Sequence, residues 1–344
     1  MSTIIETSLP VGAASSPVVD RAHVAVIIPT YNARAYWSTF QKALRAQKFP
    51  SKQILIVDSD SEDGTAELAE FEGYQVKRIA RRAFNHGGTR QMATSLVPWA
   101  TVVVYLTQDA VLATPDAIDL LLTAFDDPRV GAAYGRQLPR PGSGAIEAHA
   151  RLFNYPPRSE VRDFESRQTL GIKATFLSNS FAAYRVSALQ DVGGFPTDVI
   201  LAEDALVTGK MLIAGWKAAY VAEAQVFHSH SFTITEEFRR YFDIGICHGR
   251  ASWLRLQFGK PNCEGRRFVF SELAYLVYNR PYLIPSAMLR TCFKALGYEL
   301  GLRETSLGRN WTRKLSFHRA FWDDGEGYSG HTPSLSSSNP ATFT

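Results

Sequence analysis

Cysteine is scarce: Cys247, Cys263 and Cys292 are the only three in 344 residues. They are odd in number, widely spaced and form no Cys-x-x-Cys pair. That argues against a disulfide framework and a structural zinc site, and it fits a reducing cytoplasm. Long apolar runs are missing too. No stretch reaches the ~18 consecutive apolar residues that a membrane-spanning helix needs. The opening MSTIIETSLPVGAASSP has neither a basic start nor a long apolar core, so a secretory signal is not expected. Residues 1–21 read as a flexible leader. The closing HTPSLSSSNPATFT is rich in serine and has no periodicity, and residues 323–344 read as a disordered tail. Two phosphate-binding signatures are absent as well. No G-x-G-x-x-G follows a strand, and no G-x-x-x-x-G-K-[ST] occurs. Dinucleotide and P-loop chemistry lose their main support. There is no internal repeat.

What is present is a globular composition, 45% hydrophobic and 20% charged, with room for one large domain or two. The net charge of +4 is unevenly spread. Residues 236–322 hold 15 Lys and Arg against 7 Asp and Glu, a net of +8, while the preceding 235 residues stand at −1. Such a block suits a phosphate-bearing lipid, a membrane surface or nucleic acid, or it is simply a solvated helical face.

HVAVIIP (23–29), QILIVDSD (53–60), YQVKRIA (74–80) and TVVVYLT (101–107) read as strands. Ala33–Gln47, Asp63–Phe71 and Gly87–Leu96 between them read as helices. That alternation predicts a parallel, doubly wound sheet, whose ligands bind at the carboxyl ends of the strands. Those ends carry Pro29-Thr30-Tyr31, Asp58-Ser59-Asp60 and Gln108-Asp109. Beyond residue 135 the pattern loosens. Ala145–Leu152 looks helical, TFLSNSFAAYRVSAL mixes strand and helix character, Ala205–Ala214 is a helix ended by Gly215, and KAAYVAEAQVFHSHS (217–231) reads as strands. From Thr235 the chain turns helical, apolar, aromatic and arginine-rich together. Arg280 and Pro281 interrupt its longest apolar stretch, which favours helices lying on a membrane or packing on the main domain.

A few residues carry chemical potential. Asp109 sits between the apolar runs VVVYL and AVL, where a carboxylate needs a basic partner or a cation. In VDSDSEDGT, Asp63 suits a helix cap, but Asp58 ends an apolar strand and is placed to accept a hydrogen bond from a base or ribose. In NHGGTRQ, Gly87 and Gly88 open a helix where backbone can approach an anion, and Arg90 adds a fork for phosphate oxygens. AEDAL puts Glu203 and Asp204 before a helix, as cap or as general base. In HSH, strand alternation puts His228 and His230 on one face, either structural or as metal ligands.

AVIIPTYNA, IVDSDSEDGT, the acid ending VVVYLTQDA, GGF (193–195) and AEDAL occur in this order. Together they resemble family 2 glycosyltransferases across about residues 22–235. FNHGGTRQ, LTQDA and VFHSHSFT resemble more narrowly the bacterial rhamnosyltransferases of surface polysaccharide synthesis. The resemblance implies an α/β GT-A fold: a Rossmann-like, mostly parallel sheet flanked by helices over 22–235, with a basic helical extension over 236–322. It implies inverting transfer from a nucleotide-sugar, dTDP-rhamnose for the narrower group, with Mg²⁺ or Mn²⁺. It assigns Pro29, Thr30, Tyr31 and Asp58 to the base and ribose, with Asp60 and Gln108 nearby, and Gly88 and Arg90 to the donor site. Asp109 would hold the metal with His228, and Asp204 would be the base with Glu203 beside it. One departure stands out: Thr107-Gln108-Asp109 replaces the family's frequent Asp-x-Asp, and a single carboxylate binds a hard cation weakly. The Gln-x-x-Arg-Trp signature of processive synthases is absent, which favours single additions or short extension. The implied partner is a lipid-linked saccharide at the cytoplasmic face of the membrane, not nucleic acid. The rival expectations are a nucleotidyltransferase and a non-catalytic polysaccharide-assembly protein.

Overall fold

The computed structural model describes residues 19–259 and 262–323. Residues 1–18 and 324–344, most of the expected leader and tail, lie outside the described residues. In chain order the strands are β1 (Val24–Thr30), β2 (Ile54–Asp58), β3 (Gln75–Arg78), β4 (Val102–Leu106), β5 (Val111–Leu112), β6 (Val130–Leu138), β7 (Glu160–Arg162), β8 (Phe181–Arg185) and β9 (Lys217–Phe227). The helices are α1 (Arg34–Ala46), α2 (Thr65–Phe71), α3 (His86–Ser95), α4 (Ala117–Leu122), α5 (Ala145–Asn154), α6 (Arg167–Leu170), α7 (Val186–Asp191), α8 (Glu203–Ile213), α9 (Ile234–Arg250), α10 (Ser252–Phe258), α11 (Asn262–Asn279), α12 (Ile284–Leu302) and α13 (Arg309–Leu315).

Among the described residues the strands form one sheet in the order β3-β2-β1-β4-β8-β6-β9-β5, with β7 also on β9. The first four strands are parallel, with Thr30 level with Asp58 at the carboxyl edge. This is the Rossmann-like half that the alternating pattern predicts. The second half is mixed. β8 enters antiparallel between β4 and β6, β6 and β9 are parallel, and β5 and β7 run antiparallel to β9. The mixed strand and helix character of 175–189 is that of β8 and α7.

Both faces of the parallel half are covered. Val24, Val26 and Ile28 of β1 enter one core, while Ala25 and Ile27 enter the other. A strand buried on both faces reads as a continuous apolar run, which is why HVAVIIP shows no alternation. β9 stops at Phe227, so His228 and His230 stand on the loop that follows rather than in the strand.

The helical extension is fastened by close backbone contact. A Cβ on Gly301 would lie 2.0 Å from the Phe242 carbonyl oxygen, and one on Gly297 would lie 2.3 Å from that of Phe238. Only glycine lets α9 and α12 cross this closely. Arg280 ends α11, and the Pro281–Leu283 turn leads into α12. Among the described residues, no helix is long and apolar enough to cross a membrane.

Candidate active site

Two adjoining cavities open at the carboxyl edge of the parallel strands. The smaller, of about 180 Å³, is lined by Pro29, Thr30, Tyr31, Ser59, Arg81 and Gln108, among others. The Gln108 amide grips the Tyr31 backbone: Oε1 accepts from the Tyr31 N–H at 2.7 Å, and Nε2 donates to its carbonyl at 2.9 Å. The Arg81 guanidinium stacks 3.6 Å above the Tyr31 ring, which leaves a flat, cationic wall. Asp58 lies behind this pocket, only 1% exposed. Its oxygens accept from the Thr30 hydroxyl at 2.9 Å, the Ser61 N–H at 2.9 Å and the Ser61 hydroxyl at 2.6 Å. Asp58 therefore shapes the loop, and Ser59 forms the surface. Asp60 is exposed, left-handed at φ 63°, and lines neither cavity.

The start of α3 forms the ridge between the cavities. Asn85 caps the helix by accepting the Gly88 N–H at 2.8 Å, so that N–H is not offered to a ligand, and Gly88 lines neither cavity. Gly87 is there for packing: a Cβ would sit 1.7 Å from the Pro196 carbonyl oxygen. Arg90 is 5% exposed and touches both cavities. Its guanidinium pairs with Glu203 at 2.9 Å and donates to the His86 carbonyl at 2.8 Å.

The larger cleft, of about 810 Å³, holds Asp109, His228 and His230 on one side and Glu203 and Asp204 on another. Both histidine Nε2 atoms approach the same Asp109 oxygen, His228 at 3.2 Å and His230 at 3.3 Å. The candidate ligand atoms of all three lie within 4.8 Å of one another. His228 Nδ1 is 2.9 Å from Gln137 Oε1, and Gln137 Nε2 donates to Ser178 at 2.9 Å. The Gln137 oxygen is thus an acceptor, so Nδ1 of His228 carries the proton and Nε2 presents a lone pair. Burial holds His228 below its usual range against the pull of Asp109, and burial with the neighbouring His228 brings His230 down to about 4. Both rings are therefore neutral near pH 7. A carboxylate beside two neutral imidazoles, with the His228 Nε2 lone pair turned toward it, is a donor set shaped for a cation. The two histidines supply what a lone carboxylate lacks.

Glu203 and Asp204 are adjacent but differ. The Glu203 carboxylate is occupied by Arg90 and by the Asn179 side-chain amide at 2.8 Å. Burial works against its ionised form, but the Arg90 charge prevails and lowers its pKa. Asp204 meets no cation at contact distance among the described residues. It accepts the Ala205 N–H at 2.8 Å and the Asn179 N–H at 3.2 Å. Burial, then the charge of Glu203, pushes its carboxyl up to about 7. A carboxylate poised near neutrality in a cleft is suited to taking a proton.

Several lining residues have no local signal in the sequence. Gln137 and Asn179 fall in stretches without clear periodicity. Arg151, Arg240 and Arg290 belong to three different helices, α5, α9 and α12, that meet only in the fold. His318 arrives from beyond α13. Its backbone N–H and that of Phe317 are held by the buried Asp243, each at 3.0 Å, and its ring meets His86 edge-on at 5.0 Å.

Residues 25–193 match the family described as Glycosyl transferase family 2. The chain is 43% identical over 302 residues to the O-antigen chain rhamnosyltransferase RfbN of Salmonella typhimurium, covering 88% of this chain and 96% of that protein. It is 42% identical over 300 residues to the O-antigen chain rhamnosyltransferase WbaN of Salmonella anatum, covering 87% and 95%. Among solved structures, residues 1–349 of S. aureus TarS in complex with UDP-GlcNAc match with a TM-score of 0.50 at 15% identity, covering 82% of this chain and 91% of that one. That likeness speaks to the fold alone. With the sheet, the cleft and these relatives in agreement, the chain belongs to glycosyl transferase family 2 and is a glycosyltransferase of GT-A fold.

Proposed function

We propose that this enzyme transfers L-rhamnose from dTDP-rhamnose, with inversion, to a saccharide hydroxyl on a lipid-linked acceptor during O-antigen assembly. The observation that carries the mechanism is the placing of the Asp109–His228–His230 cluster and Asp204 in one cleft. The names of the relatives at 43% and 42% identity support the sugar and the pathway.

In this reading the smaller cavity takes the nucleoside, against Tyr31, Arg81 and Gln108. Asp109, His228 and His230 would hold Mg²⁺ or Mn²⁺, which neutralises charge on the diphosphate. Asp204 accepts the proton of the acceptor hydroxyl. That oxygen bonds to the anomeric carbon from the face opposite the nucleotide. The bond from the anomeric carbon to the diphosphate oxygen breaks, and dTDP leaves with the electron pair. One displacement inverts the centre and needs no covalent intermediate. Arg90 keeps Glu203 ionised beside Asp204, and that negative charge raises the base toward neutrality. The enzyme works at the cytoplasmic face of the membrane, where lipid-linked acceptors present their saccharides.

The test is a donor screen with dTDP-rhamnose, UDP-sugars and GDP-sugars against a lipid-linked saccharide. Product mass and the anomeric carbon–hydrogen coupling are read. Transfer from dTDP-rhamnose with inverted configuration is expected. Transfer from another donor only, or with retained configuration, overturns the reading.

A further inference from the structure

The outer side of α11 and α12 reverses the usual pattern of a surface helix. On α12 the exposed positions from 284 to 296 are Pro285, Met288, Leu289, Cys292, Phe293, Ala295 and Leu296, and none is charged. The charges of this helix turn the other way. Arg290 and Lys294 face inward, where they meet Glu237 at 3.1 and 3.3 Å and line the cleft. On α11, Phe270, Val277 and Tyr278 are exposed along one stripe, Phe270 to 67% and Tyr278 to 89%. Tyr282, in the turn between the helices, is 73% exposed. Apolar groups clustered on a surface in this way mark an interaction site. The patch is bordered by cations: Arg266 and Arg267 near the start of α11, and Arg280 just after its end, are all exposed.

We infer that the outer face of the α11–α12 hairpin docks on the surface of an anionic lipid bilayer and holds the mouth of the cleft against it. An aromatic and aliphatic face edged with arginine matches the boundary of such a membrane, where apolar side chains enter the acyl edge and guanidinium groups meet lipid phosphates. The depth is that of a surface contact, since neither helix is long and apolar enough to cross. Leu283, Ser286 and Arg290 line the cleft from the same segment that carries Met288, Leu289 and Phe293 outward. A saccharide tethered to a lipid therefore reaches Asp204 while its lipid stays in the bilayer. This last step rests on the acceptor proposed above, whereas the docking itself rests on the surface alone.

The experiment uses the full chain and vesicles of phosphatidylcholine, with and without phosphatidylglycerol. Flotation is measured for the wild type and for Leu289→Glu/Phe293→Glu, neither of which lines the cleft. Cys292, exposed on the same face, carries an environment-sensitive fluorophore in a C263S background. The wild type should float with the anionic vesicles at low salt, with a blue-shifted label. The double variant should partition about tenfold more weakly, because two apolar contacts with the bilayer are replaced by charges. Its far-ultraviolet spectrum should be unchanged, as should its transfer to a short, detergent-soluble acceptor, while transfer to an acceptor embedded in vesicles should drop in step with binding. A wild type that does not float, or a double variant that floats equally well, overturns the proposal. So does a wild-type dimer that the double variant converts to monomer without any vesicle binding, which assigns the face to a second copy of the chain. The two readings fail separately. Normal transfer to the soluble acceptor without vesicle binding sinks only the docking. Vesicle binding without transfer from dTDP-rhamnose sinks only the proposed reaction.

Discussion

Asp204 and Glu203 share a helix start but meet different charges, and the roles proposed for them follow from that. Glu203 is neutralised by Arg90 at 2.9 Å, whereas Asp204 has backbone N–H donors and a carboxylate neighbour. Asp204→Asn should reduce transfer by roughly 10²–10⁴-fold while leaving dTDP binding intact. Steady-state kinetics and calorimetry check this, and near-normal turnover would move the role of base elsewhere. Because the carboxyl titrates at about 7, kcat/KM should fall as pH drops below that value. The same shift bears on stability. The folded protein holds the Asp204 proton more tightly than the unfolded chain, so its favourable contribution is present at low pH and is lost as pH rises through about 7. Asp204→Asn should therefore raise the melting temperature on the alkaline side, and an unchanged or lower value there would contradict the environment described. Much at this scale was legible. Asp109 was marked by its apolar flanks and Asp204 by its motif. The occupant of Arg90 was not, because an arginine that looks free for phosphate in sequence meets Glu203 from a helix more than a hundred residues away.

Elements bring these residues together through packing that tolerates little change. α3 approaches the Pro196 loop ahead of α8 so closely that Gly87 has no room for a methyl group. Gly87→Ala should destabilise the fold by about 1–3 kcal/mol through overpacking. It should also disturb the Arg90–Glu203 pair, so urea titration and the acid limb of the pH profile should both move. A variant as stable as the wild type would show that the contact yields easily. Asp243 on α9 ties down the segment after α13. Asp243→Ala leaves the Phe317 and His318 N–H groups unpaired and should cost about 1–3 kcal/mol, read as a lower melting temperature. The parallel half of the sheet was legible because a helix follows each of β1, β2 and β3 in the chain. β8 was not, since its neighbours β4 and β6 come from remote parts of the chain and its pairing has no local signature. The histidines show the same limit. Strand alternation predicted that His228 and His230 share a face, but β9 ends before them, and it is the loop that turns both toward Asp109.

The whole molecule joins a half built on the parallel strands to a helical half that carries Arg240, Arg290 and Lys294 into the same cleft. Composition located the positive charge in residues 236–322, but which cations face the cleft and which the outside depends on how α9, α11 and α12 pack. The account stands on a divalent cation that residues from two separate stretches of that assembly would hold: Asp109 after β4, and His228 and His230 after β9. Calorimetric titration of dTDP, with Mn²⁺ present and with Mn²⁺ chelated, tests this most directly in the wild type and in Asp109→Ala. The account predicts binding by the wild type that is lost on chelation, restored by Mn²⁺ or Mg²⁺, and weak in Asp109→Ala under every condition. Equal dTDP affinity in all of these titrations would contradict it.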